Sequence, residues 1–581
     1  MRIDRPGILV PIVLLAACSS GDSSPDGKDE EAFDPGKADS VYGECQIRQL
    51  VAWVNDPTLT VDMLKAAGVH TRAAKNIVAY RDGLDALPGT ADDDYFDDAE
   101  ELDDVYWVGK RAFEQLSAAV ADRCGVPRDS SVVFSPQYYS ESHLARVHEL
   151  LAGAQHTIDV AMYSFSDSQT QDALKNAAGR GVSVRMIFET ANEDRKDPAG
   201  SRSAKFEDAG IDVRYVNKIM HHKYAIIDGP RDSTDLAFTG TLATGSGNWS
   251  YSAGTKYDEN TVFLTGSDEL MLRYQKEFDY LWDNSRDFEW NSDLEPIGHK
   301  TITAPMIPDD PTANVAFTSA NFKTSVTSYG PTFSVVSGNN EISDKLTELI
   351  ENASESIHVA SGHLRSRPVS EALLAKAEAN PEMDIRVYLD NQEYISEWYH
   401  NEQLGDLSDC LAEAGDSTSK QQKCLDKGFY FSYQLHEAGV EVRFKYYCYR
   451  WDYHYAEQMH HKYLIFDGKI LASGSYNLSD NAEHNTMENM AIYDRSAYGQ
   501  LVDAFEANFE ALWATGESEG LYAALLDEVE KGSGPVPLVF EPMALDWDQV
   551  TALKAAIKAN CPDINTDPYR QEPDEHLDCP R

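Results

Sequence analysis

The sequence predicts an α/β protein built from two similar halves, with a small all-α unit in front of them. Strand, helix and strand follow one another at 157–189 and again at 356–390. A ten-residue phrase also occurs twice, as MHHKYAIIDG at 220–229 and as MHHKYLIFDG at 459–468. The stretch 42–125 contains helical segments instead. Repeated order together with a repeated phrase indicates a duplicated α/β unit.

The N-terminal residues predict export and an unstructured tether. A short apolar run ends in Leu-Ala-Ala-Cys at 15–18 and is too brief to span a bilayer permanently. This resembles a bacterial lipoprotein lipobox, so that residues 1–18 would comprise the signal peptide and the lipobox. The resemblance implies that cleavage before Cys18 makes this residue the lipid-bearing mature N-terminus. Ser19 is not an aspartate retention signal, so we expect anchoring at the outer membrane or cell surface. A simple cleaved signal peptide is the alternative. Residues 19–41 form an acidic, disordered tether.

The charge of the chain restricts its partners. With 97 acidic and 50 basic residues, the formal net charge is −47. Such a field repels nucleic acid and anionic membranes, so a nucleic-acid partner is disfavoured but stays open. A phosphate-bearing substrate then needs a local basic site.

The helical unit 42–125 resembles paired helix-hairpin-helix elements, in 64–83 and 96–116. In such domains the hairpin glycines bring backbone N–H groups close to a DNA phosphate. Here the second turn is Trp-Val-Gly at 107–109, without its first glycine, and the acidic stretch 91–104 precedes it. We therefore expect a structural or protein-contact role.

Export permits disulfides, and the cysteines suggest a pairing. Beside Cys18, seven cysteines remain. Their positions in the predicted units suggest the pairs Cys45–Cys124, Cys410–Cys424 and Cys561–Cys579, with Cys448 left over. The sequence alone does not fix this connectivity, and no cysteine spacing indicates a structural zinc site.

The two α/β halves are predicted at 130–288 and 330–515, joined by a Pro- and Thr-rich stretch. Strand-helix-strand alternation predicts right-handed crossovers and a mainly parallel sheet in each half. The second half carries an extra segment near 391–432. Residues 516–581 are expected to form a helical, Pro-interrupted tail.

Each repeated phrase contains a histidine, a lysine and an aspartate in the pattern H-x-K-x4-D. The six residues are His221, Lys223, Asp228, His460, Lys462 and Asp467. On a strand, positions i and i+2 share a face, so the imidazole and the ammonium group point the same way. The second histidines, His222 and His461, then point to the opposite face and need not be catalytic.

Two further elements follow each phrase at matching distances. The pattern Gly-Ser-x-Asn places Ser246 and Asn248 after the first phrase, and Ser475 and Asn477 after the second. A glutamate, Glu259 or Glu488, stands eleven residues after each asparagine. This spacing is the same although the first half inserts ten residues before its Gly-Ser pair. Preserved register across an insertion indicates a chemical constraint.

These paired motifs resemble the phospholipase D superfamily over residues 130–515. The resemblance implies two α/β/α lobes related by a pseudo-twofold axis, with both motifs at the joint of a single chain, and hence a monomer. It further implies that His221 is the nucleophile and His460 the general acid. Glu259 and Glu488 would hold the imidazole N–H groups. No metal or cofactor is implied, and a lysine beside each histidine disfavours a bound cation.

The residue types suit attack on a phosphodiester. Lys223 and Lys462 can neutralise the non-bridging oxygens, helped by the hydroxyl and amide groups of the Gly-Ser-x-Asn patterns. One neutral imidazole can form a phosphohistidine, while the other, protonated, releases the alcohol and then activates water. Asp228 and Asp467 belong to the same motif, but we expect them to stabilise local structure.

The natural substrate is less clear from the sequence. A phospholipase D acting on phosphatidylcholine-like lipid to give phosphatidic acid and an alcohol is favoured. An exported metal-independent nuclease, a phosphatidyl transferase like cardiolipin synthase and an inactive surface scaffold are the alternatives. Aromatic residues in 445–455 could line a mouth for lipid or serve packing.

Overall fold

A computed structural model describes residues 42–124, 128–291, 294, 296–447, 457–531 and 542–560. The predictions for the signal peptide, the lipobox, the tether, Cys448, Cys561 and Cys579 lie outside these residues, as does most of the aromatic stretch 445–455. Within the described ranges, no helix combines the length and the apolar character that crossing a bilayer requires.

The N-terminal unit consists of five helices around their own apolar core. They are α1 (Glu44–Val54), α2 (Val61–Ala66), α3 (Thr71–Arg81), α4 (Ala99–Asp104) and α5 (Lys110–Cys124). The predicted disulfide Cys45–Cys124 joins the first helix to the last. Trp107, which stands where the second hairpin turn lacks its glycine, adopts φ +74°. Its ring packs against His70 and under the Arg72 guanidinium, contacts that stabilise this left-handed conformation.

The helical unit is docked on the first lobe by polar contacts. Lys300 Nζ lies 2.6 Å from Asp56 Oδ2, and Arg123 Nη2 lies 2.5 Å from Asp235 Oδ1. Gln49 Nε2 donates to Asp268 at 2.5 Å. A phosphate-binding role for this unit finds no support in these contacts.

The first lobe contains an eight-stranded sheet in the order β1-β8-β7-β6-β2-β3-β4-β9. Its strands, with the short β5, are β1 (Asp129–Ser135), β2 (Thr157–Met162), β3 (Ser183–Phe188), β4 (Asp212–Tyr215), β5 (Ile219–Met220), β6 (Lys223–Ile227), β7 (Thr241–Gly245), β8 (Glu259–Thr265) and β9 (Arg286–Asp287). Its helices are α6 (His143–Gly153), α7 (Ser168–Gly179), α8 (Glu189–Asp194), α9 (Arg202–Glu207), α10 (Tyr251–Thr255) and α11 (Asp268–Asp283).

The second lobe repeats this sheet, strand for strand, in the order β10-β21-β18-β17-β13-β15-β16-β22. Its strands, with three two-residue ones and one hairpin, are β10 (Ala313–Phe317), β11 (Phe322–Thr327), β12 (Gly330–Val335), β13 (Ser356–Ser361), β14 (Leu364–Arg365), β15 (Asp384–Asp390), β16 (Glu441–Tyr446), β17 (Lys462–Phe466), β18 (Ile470–Gly474), β19 (Leu478–Ser479), β20 (Thr486–Met487), β21 (Asn489–Asp494) and β22 (Met543–Asp546). Its helices are α12 (Glu341–Asn352), α13 (Arg367–Ala379), α14 (Glu397–Ala414), α15 (Thr418–Leu425), α16 (Ser432–Glu437), α17 (Asp480–Asn485), α18 (Arg495–Trp513), α19 (Leu521–Lys531) and α20 (Trp547–Asn560).

The α/β class and the two similar lobes are as predicted, but three details differ. Only β2-β3-β4 and β13-β15-β16 are parallel, while every other neighbouring pair in the two sheets is antiparallel. A mainly parallel sheet was therefore the wrong expectation, because helical crossovers join just those three strands. The second lobe starts with β10, before residue 330. The tail is not purely helical, since β22 pairs with β16.

The inner faces of both sheets share one apolar core with the long helices α11 and α18. Tyr224 and Ile226 from β6 meet Tyr463 and Ile465 from β17 in this core, together with Phe505 of α18. Separate clusters fill the outer face of each sheet against α6–α7 and α12–α13. The continuous middle layer fixes the two lobes against each other, which is what a site shared between them requires.

The extra segment of the second lobe is a pair of helices, α14 and α15. The predicted disulfide Cys410–Cys424 joins them. Gln403 on α14 donates to the carbonyl of Tyr430 at 2.8 Å, which attaches the pair to the chain that leads back into the sheet. The segment thus stands beside the second lobe as a cross-linked unit.

Candidate active site

The two repeated phrases meet at the joint between the lobes, and each is held there by backbone from the other lobe. The short strand β5 pairs with β20, and the His221 N–H donates to the Met487 carbonyl at 3.1 Å. In the equivalent contact, the His460 N–H donates to the Asp258 carbonyl at 3.0 Å. The residue after each of these carbonyls is one of the predicted glutamates, so the backbone itself aligns glutamate and histidine.

Each catalytic histidine is oriented by the glutamate of the opposite lobe. Nδ1 of His221 lies 2.7 Å from Oε1 of Glu488, and Nδ1 of His460 lies 2.7 Å from Oε1 of Glu259. Both glutamates are fully buried. A carboxylate at Nδ1 keeps the proton on that nitrogen and leaves Nε2 as the basic, attacking atom. Each lobe therefore supplies the glutamate that orients the histidine of the other lobe, as expected for two lobes related by a twofold axis.

The second histidine of each phrase has a structural role, as the strand alternation predicted. Asn489 Nδ2 donates to Nδ1 of His222 at 2.9 Å, and Asn260 Nδ2 makes the equivalent contact with His461 at 3.1 Å. Both imidazoles are completely buried on the face away from the site. In each lobe, the glutamate and the asparagine that follows it therefore contact the two adjacent histidines of the other lobe.

The lysines lie in the site beside the imidazoles. The ammonium group of Lys223 donates to the His221 carbonyl at 2.7 Å, and that of Lys462 donates to the His460 carbonyl at 2.6 Å. Burial lowers the pKa of Lys223 to about 7 and that of Lys462 to about 8. An anion bound between them would offset this desolvation and favour the charged lysines.

Burial also shifts the pKa values of the histidines and glutamates. It lowers the pKa values of His221 and His460 well below 6.5, and the two lysines lower them further. It raises the pKa values of Glu259 and Glu488 to about 7. Without substrate both imidazoles are therefore neutral. A bound phosphodiester adds the negative charge that favours protonation of one of them.

The predicted phosphate donors divide into two groups. The Ser475 hydroxyl donates to Oε2 of Glu488 at 2.6 Å, and Ser246 has the same place beside Glu259. Both serines are fully buried. These contacts engage the hydroxyl groups beside the glutamates, and the role of the two serines in binding the substrate phosphate stays a prediction.

The two asparagines of the Gly-Ser-x-Asn patterns, Asn248 and Asn477, are half-buried. Within the described residues their Oδ1 atoms have no hydrogen-bond partner. An amide oxygen accepts hydrogen bonds, so only the Nδ2 group of each asparagine could donate to a phosphate oxygen. The role of these amides in binding phosphate stays a prediction.

The motif aspartates stabilise the ends of the central strands. Asp228 accepts the backbone N–H groups of residues 155–157, and Asp467 accepts those of residues 354–356. Both adopt φ values in the left-handed region, +50° and +54°, which aspartate tolerates better than most residues. They are catalytic-motif residues without a catalytic contact, as the sequence argument expected.

Two residues that the sequence argument missed lie beside the catalytic histidines. The Tyr163 ring is 4.6 Å from the His221 ring, and the Lys223 ammonium group lies 5.3 Å from its centroid. In the second lobe, His363 Nδ1 contacts Glu393 at 3.0 Å. The repeated sequence could have revealed both residues, because the two lobes align along β2 and β13 and differ at the positions that follow these strands.

The geometry supports a two-step displacement at phosphorus. A neutral imidazole whose Nδ1 proton is held by glutamate presents Nε2 for attack, while the opposite imidazole donates a proton to the departing oxygen. Two lysines stand where non-bridging oxygens would gain charge. The arrangement of the site therefore suits phosphodiester chemistry at a pair of histidines.

Comparisons with known proteins agree with this class. The family model described as cardiolipin synthase, PLD-like domain, matches residues 147–282 and 346–513, more than half of the chain. The chain therefore belongs to the phospholipase D superfamily.

Individual relatives match shorter stretches. A mitochondrial cardiolipin hydrolase from Chlamydomonas reinhardtii is 33% identical over 147 residues, which are 25% of this chain and 60% of that protein. The Homo sapiens protein of the same name is 31% identical over 162 residues, 28% of this chain and 54% of its own length. The crystal structure of Nuc, a phospholipase D family member from Salmonella typhimurium, aligns at 25% identity with a TM-score of 0.24, covering 28% of this chain and 97% of that one. The chain thus spans less than two thirds of the curated relatives' length.

Proposed function

We propose that this protein is a phospholipase D that hydrolyses head groups from phosphatidylcholine-like lipid, giving phosphatidic acid and the free alcohol. The observation that carries the proposal is the reciprocal pairing of His221 with Glu488 and of His460 with Glu259 at the joint. This pairing supplies two imidazoles of fixed tautomer to one phosphorus atom. The relatives named cardiolipin hydrolase support a lipid phosphodiester as the substrate.

The reaction proceeds through a covalent intermediate. Nε2 of His221 attacks phosphorus and forms the P–N bond, the bond from phosphorus to the head-group oxygen breaks, and His460 gives its proton to that oxygen. The neutral His460 then removes a proton from water, whose oxygen attacks phosphorus and breaks the P–N bond. Phosphatidic acid leaves, and His460 is again protonated. Each proton and each bond is accounted for without a cofactor.

A lipid substrate also explains an exposed aromatic pair beside the second lobe. Trp398 and Tyr399, at the start of α14, are 64% and 60% exposed. They follow five residues after Glu393, the carboxylate that holds His363 close to the site. Indole and phenol rings at an exposed position favour the interface between lipid and water. Nucleic acid, by contrast, is repelled by a net charge of −47.

We further propose that the protein works at a membrane to which it is anchored. Cys18 in the lipobox-like sequence would carry the lipid, and residues 19–41 would tether the folded part to the surface. Export agrees with the two disulfides of the described residues. Globomycin treatment of expressing cells, or Cys18→Ser, would leave an unprocessed precursor. Normal processing of the Cys18→Ser protein would show a simple signal peptide instead.

One experiment separates the candidate activities. Purified protein without added metal is incubated with phosphatidylcholine vesicles, with the same vesicles plus glycerol, and with plasmid DNA, alongside His221→Ala as the control. Choline release with intact plasmid is the expected result. Plasmid nicking without choline release would replace the lipase by a nuclease, and formation of phosphatidylglycerol in place of phosphatidic acid would show a transferase.

Trp398→Ala tests the lipid contact separately. We expect slower choline release from vesicles and unchanged hydrolysis of bis(p-nitrophenyl) phosphate, because only the vesicle substrate requires an interface. Equal loss on both substrates would show that the indole stabilises the fold and does not contact lipid.

A further inference from the structure

The second lobe carries a third histidine that is held in the same way as the two catalytic ones. His363 Nδ1 lies 3.0 Å from Oε1 of Glu393, a carboxylate that is 1% exposed. His221 and His460 are likewise held at Nδ1 by buried glutamates. Fixing Nδ1 directs Nε2 away from the carboxylate. A buried glutamate fixes the imidazole at all three histidines. We infer that the orientation of the His363 imidazole also matters.

The backbone places His363 next to the catalytic phrase of its own lobe. Gly362 packs so closely against the chain that a Cβ there would lie 2.7 Å from the Met459 carbonyl, the residue before His460. The strand register pairs Ser361 with Lys462. Burial is the main cause of the low pKa values of both catalytic histidines, and the charge of His363 lowers them further. All three observations put His363 beside the His460 side of the site.

The first lobe has no equivalent of this histidine. The Tyr163 N–H donates to the His222 carbonyl and the Gly362 N–H to the His461 carbonyl, both at 3.1 Å, so the two positions correspond. Counting on from them, the first lobe has serine at 164, 166 and 168. The second lobe has His363, Arg365 and Arg367 at these places. Three basic residues replace three serines in a chain whose net charge is −47.

Arg365 shares the carboxylate that holds His363. Its Nη2 lies 2.6 Å from Oε1 of Glu393, and its guanidinium lies 4.5 Å from the centre of the Tyr430 ring. The side chains of His363 and Arg365 are 34% and 27% exposed, so a ligand can reach both. Glu393 thus orients an imidazole and a guanidinium whose remaining N–H groups can donate to an anion.

We propose that His363 and Arg365 form a second anion-binding subsite, which recognises an anionic group on the departing alcohol of the phospholipid. The inference rests on the proposed function, because it assumes that the scissile phosphate lies between His221 and His460. Among the phospholipids that the proposed lipase would cleave, the subsite would favour those whose head group carries a second phosphate or a carboxylate over phosphatidylcholine itself. Glycerol-bridged bisphosphate lipids and serine lipids supply these two groups.

The test measures the preference between head groups. Cardiolipin and phosphatidylserine, each diluted in phosphatidylcholine vesicles, are compared with phosphatidylcholine alone for wild type, His363→Gln and Arg365→Gln. Ser164→Ala, the corresponding position in the first lobe, is the matched control. We expect the ratio of kcat/KM for the anionic lipid to that for phosphatidylcholine to fall about ten- to hundredfold in the two variants, the value of a charge-assisted hydrogen bond. The control keeps the ratio.

The two anionic lipids show which anionic group the subsite binds. The outcomes also distinguish failure of the subsite from failure of the lipase proposal. A fall for cardiolipin alone identifies phosphate, and a fall for phosphatidylserine alone identifies carboxylate. An unchanged ratio in both variants would overturn the subsite. If wild type cleaves no lipid, the lipase proposal fails, and the subsite is then read from binding of 1,3-propanediol bisphosphate and of propyl phosphate. Equal affinities of wild type for these two ligands, or equal losses of both in His363→Gln, would overturn the subsite on its own.

Discussion

Because each glutamate orients a histidine of the opposite lobe, we predict that Glu488→Gln affects His221 and leaves His460 unchanged. Glutamine can donate its amide proton to Nδ1 of His221, which moves the imidazole proton to Nε2, the attacking atom. The substitution thus changes the tautomer of a histidine 267 positions away in the sequence, while His460 keeps its own partner, Glu259. The change should be confined to the first catalytic histidine.

The expected loss of activity is large, and the expected loss of stability is absent. Removing the orienting carboxylate of a Ser-His-Asp triad lowers kcat by about 10⁴-fold, and the same tautomer argument applies here. Burial raises the pKa of Glu488 from 4.5 to about 7. Because the folded-state pKa is the higher one, the ionised carboxylate costs about 3 kcal/mol above pH 7 and nothing below pH 4.5. Glutamine removes that cost, so the melting temperature at pH 8 should not fall.

Histidine-selective ¹⁵N NMR tests the change of tautomer, and hydrolysis of bis(p-nitrophenyl) phosphate tests the loss of activity. The signal that disappears in His221→Ala is assigned to His221 and should show the changed tautomer in Glu488→Gln. The signal lost in His460→Ala should keep its position. A changed His460 signal, or turnover within tenfold of wild type, would refute the exchange of partners between the lobes.

The remaining predictions concern pH, metal and the motif aspartates. The acid limb of kcat/KM should lie below pH 6.5, since neutral His221 persists there. Loss of the His460 proton and then of the lysine charges lowers the rate as the pH rises, so kcat/KM should already be falling at pH 8; a pH profile on a soluble diester with an acid limb above 6.5, or a rate still rising at pH 8, would contradict this. Hydrolysis should survive EDTA and be lost in His221→Ala, and the opposite pair of results would disprove a metal-independent mechanism. Asp467→Ala should lower the free energy of unfolding in urea by about 2–3 kcal/mol, since a charged acceptor of backbone N–H groups is lost. A kcat reduced by orders of magnitude in a stable Asp467→Ala protein would instead make the aspartate catalytic.

The sequence could reveal the duplicated lobes and the reacting residues because chemistry constrains both copies in the same register. Strand alternation was sufficient to separate His221 from His222, since it depends only on neighbouring residues. These inferences are local, and local geometry is what periodicity records.

Features that depend on contacts between distant segments could not be predicted in this way. No spacing indicates that Glu259 serves His460 and not His221, because the choice is made by the twofold arrangement of the lobes. The pairing of β22 with β16 joins segments about a hundred residues apart. The contact of the Ser475 hydroxyl with Glu488 was missed for a similar reason, since this glutamate stands thirteen residues away in the sequence and folds back beside the serine.

Duplication within one chain, as opposed to a dimer of identical halves, allows the two halves of the site to differ. Hydrolysis of a diester is asymmetric, because one imidazole must attack while the other must donate a proton to the leaving group. In a symmetrical dimer any residue that favours one role is present on both sides. Here Tyr163 packs against the His221 ring, whereas the corresponding residue of the second lobe is Gly362, and the side chain of His221 is 10% exposed against 19% for His460. These differences favour the proposed division of roles, in which the alcohol leaves past His460 and His363, because the shared motif alone treats the two histidines as equal.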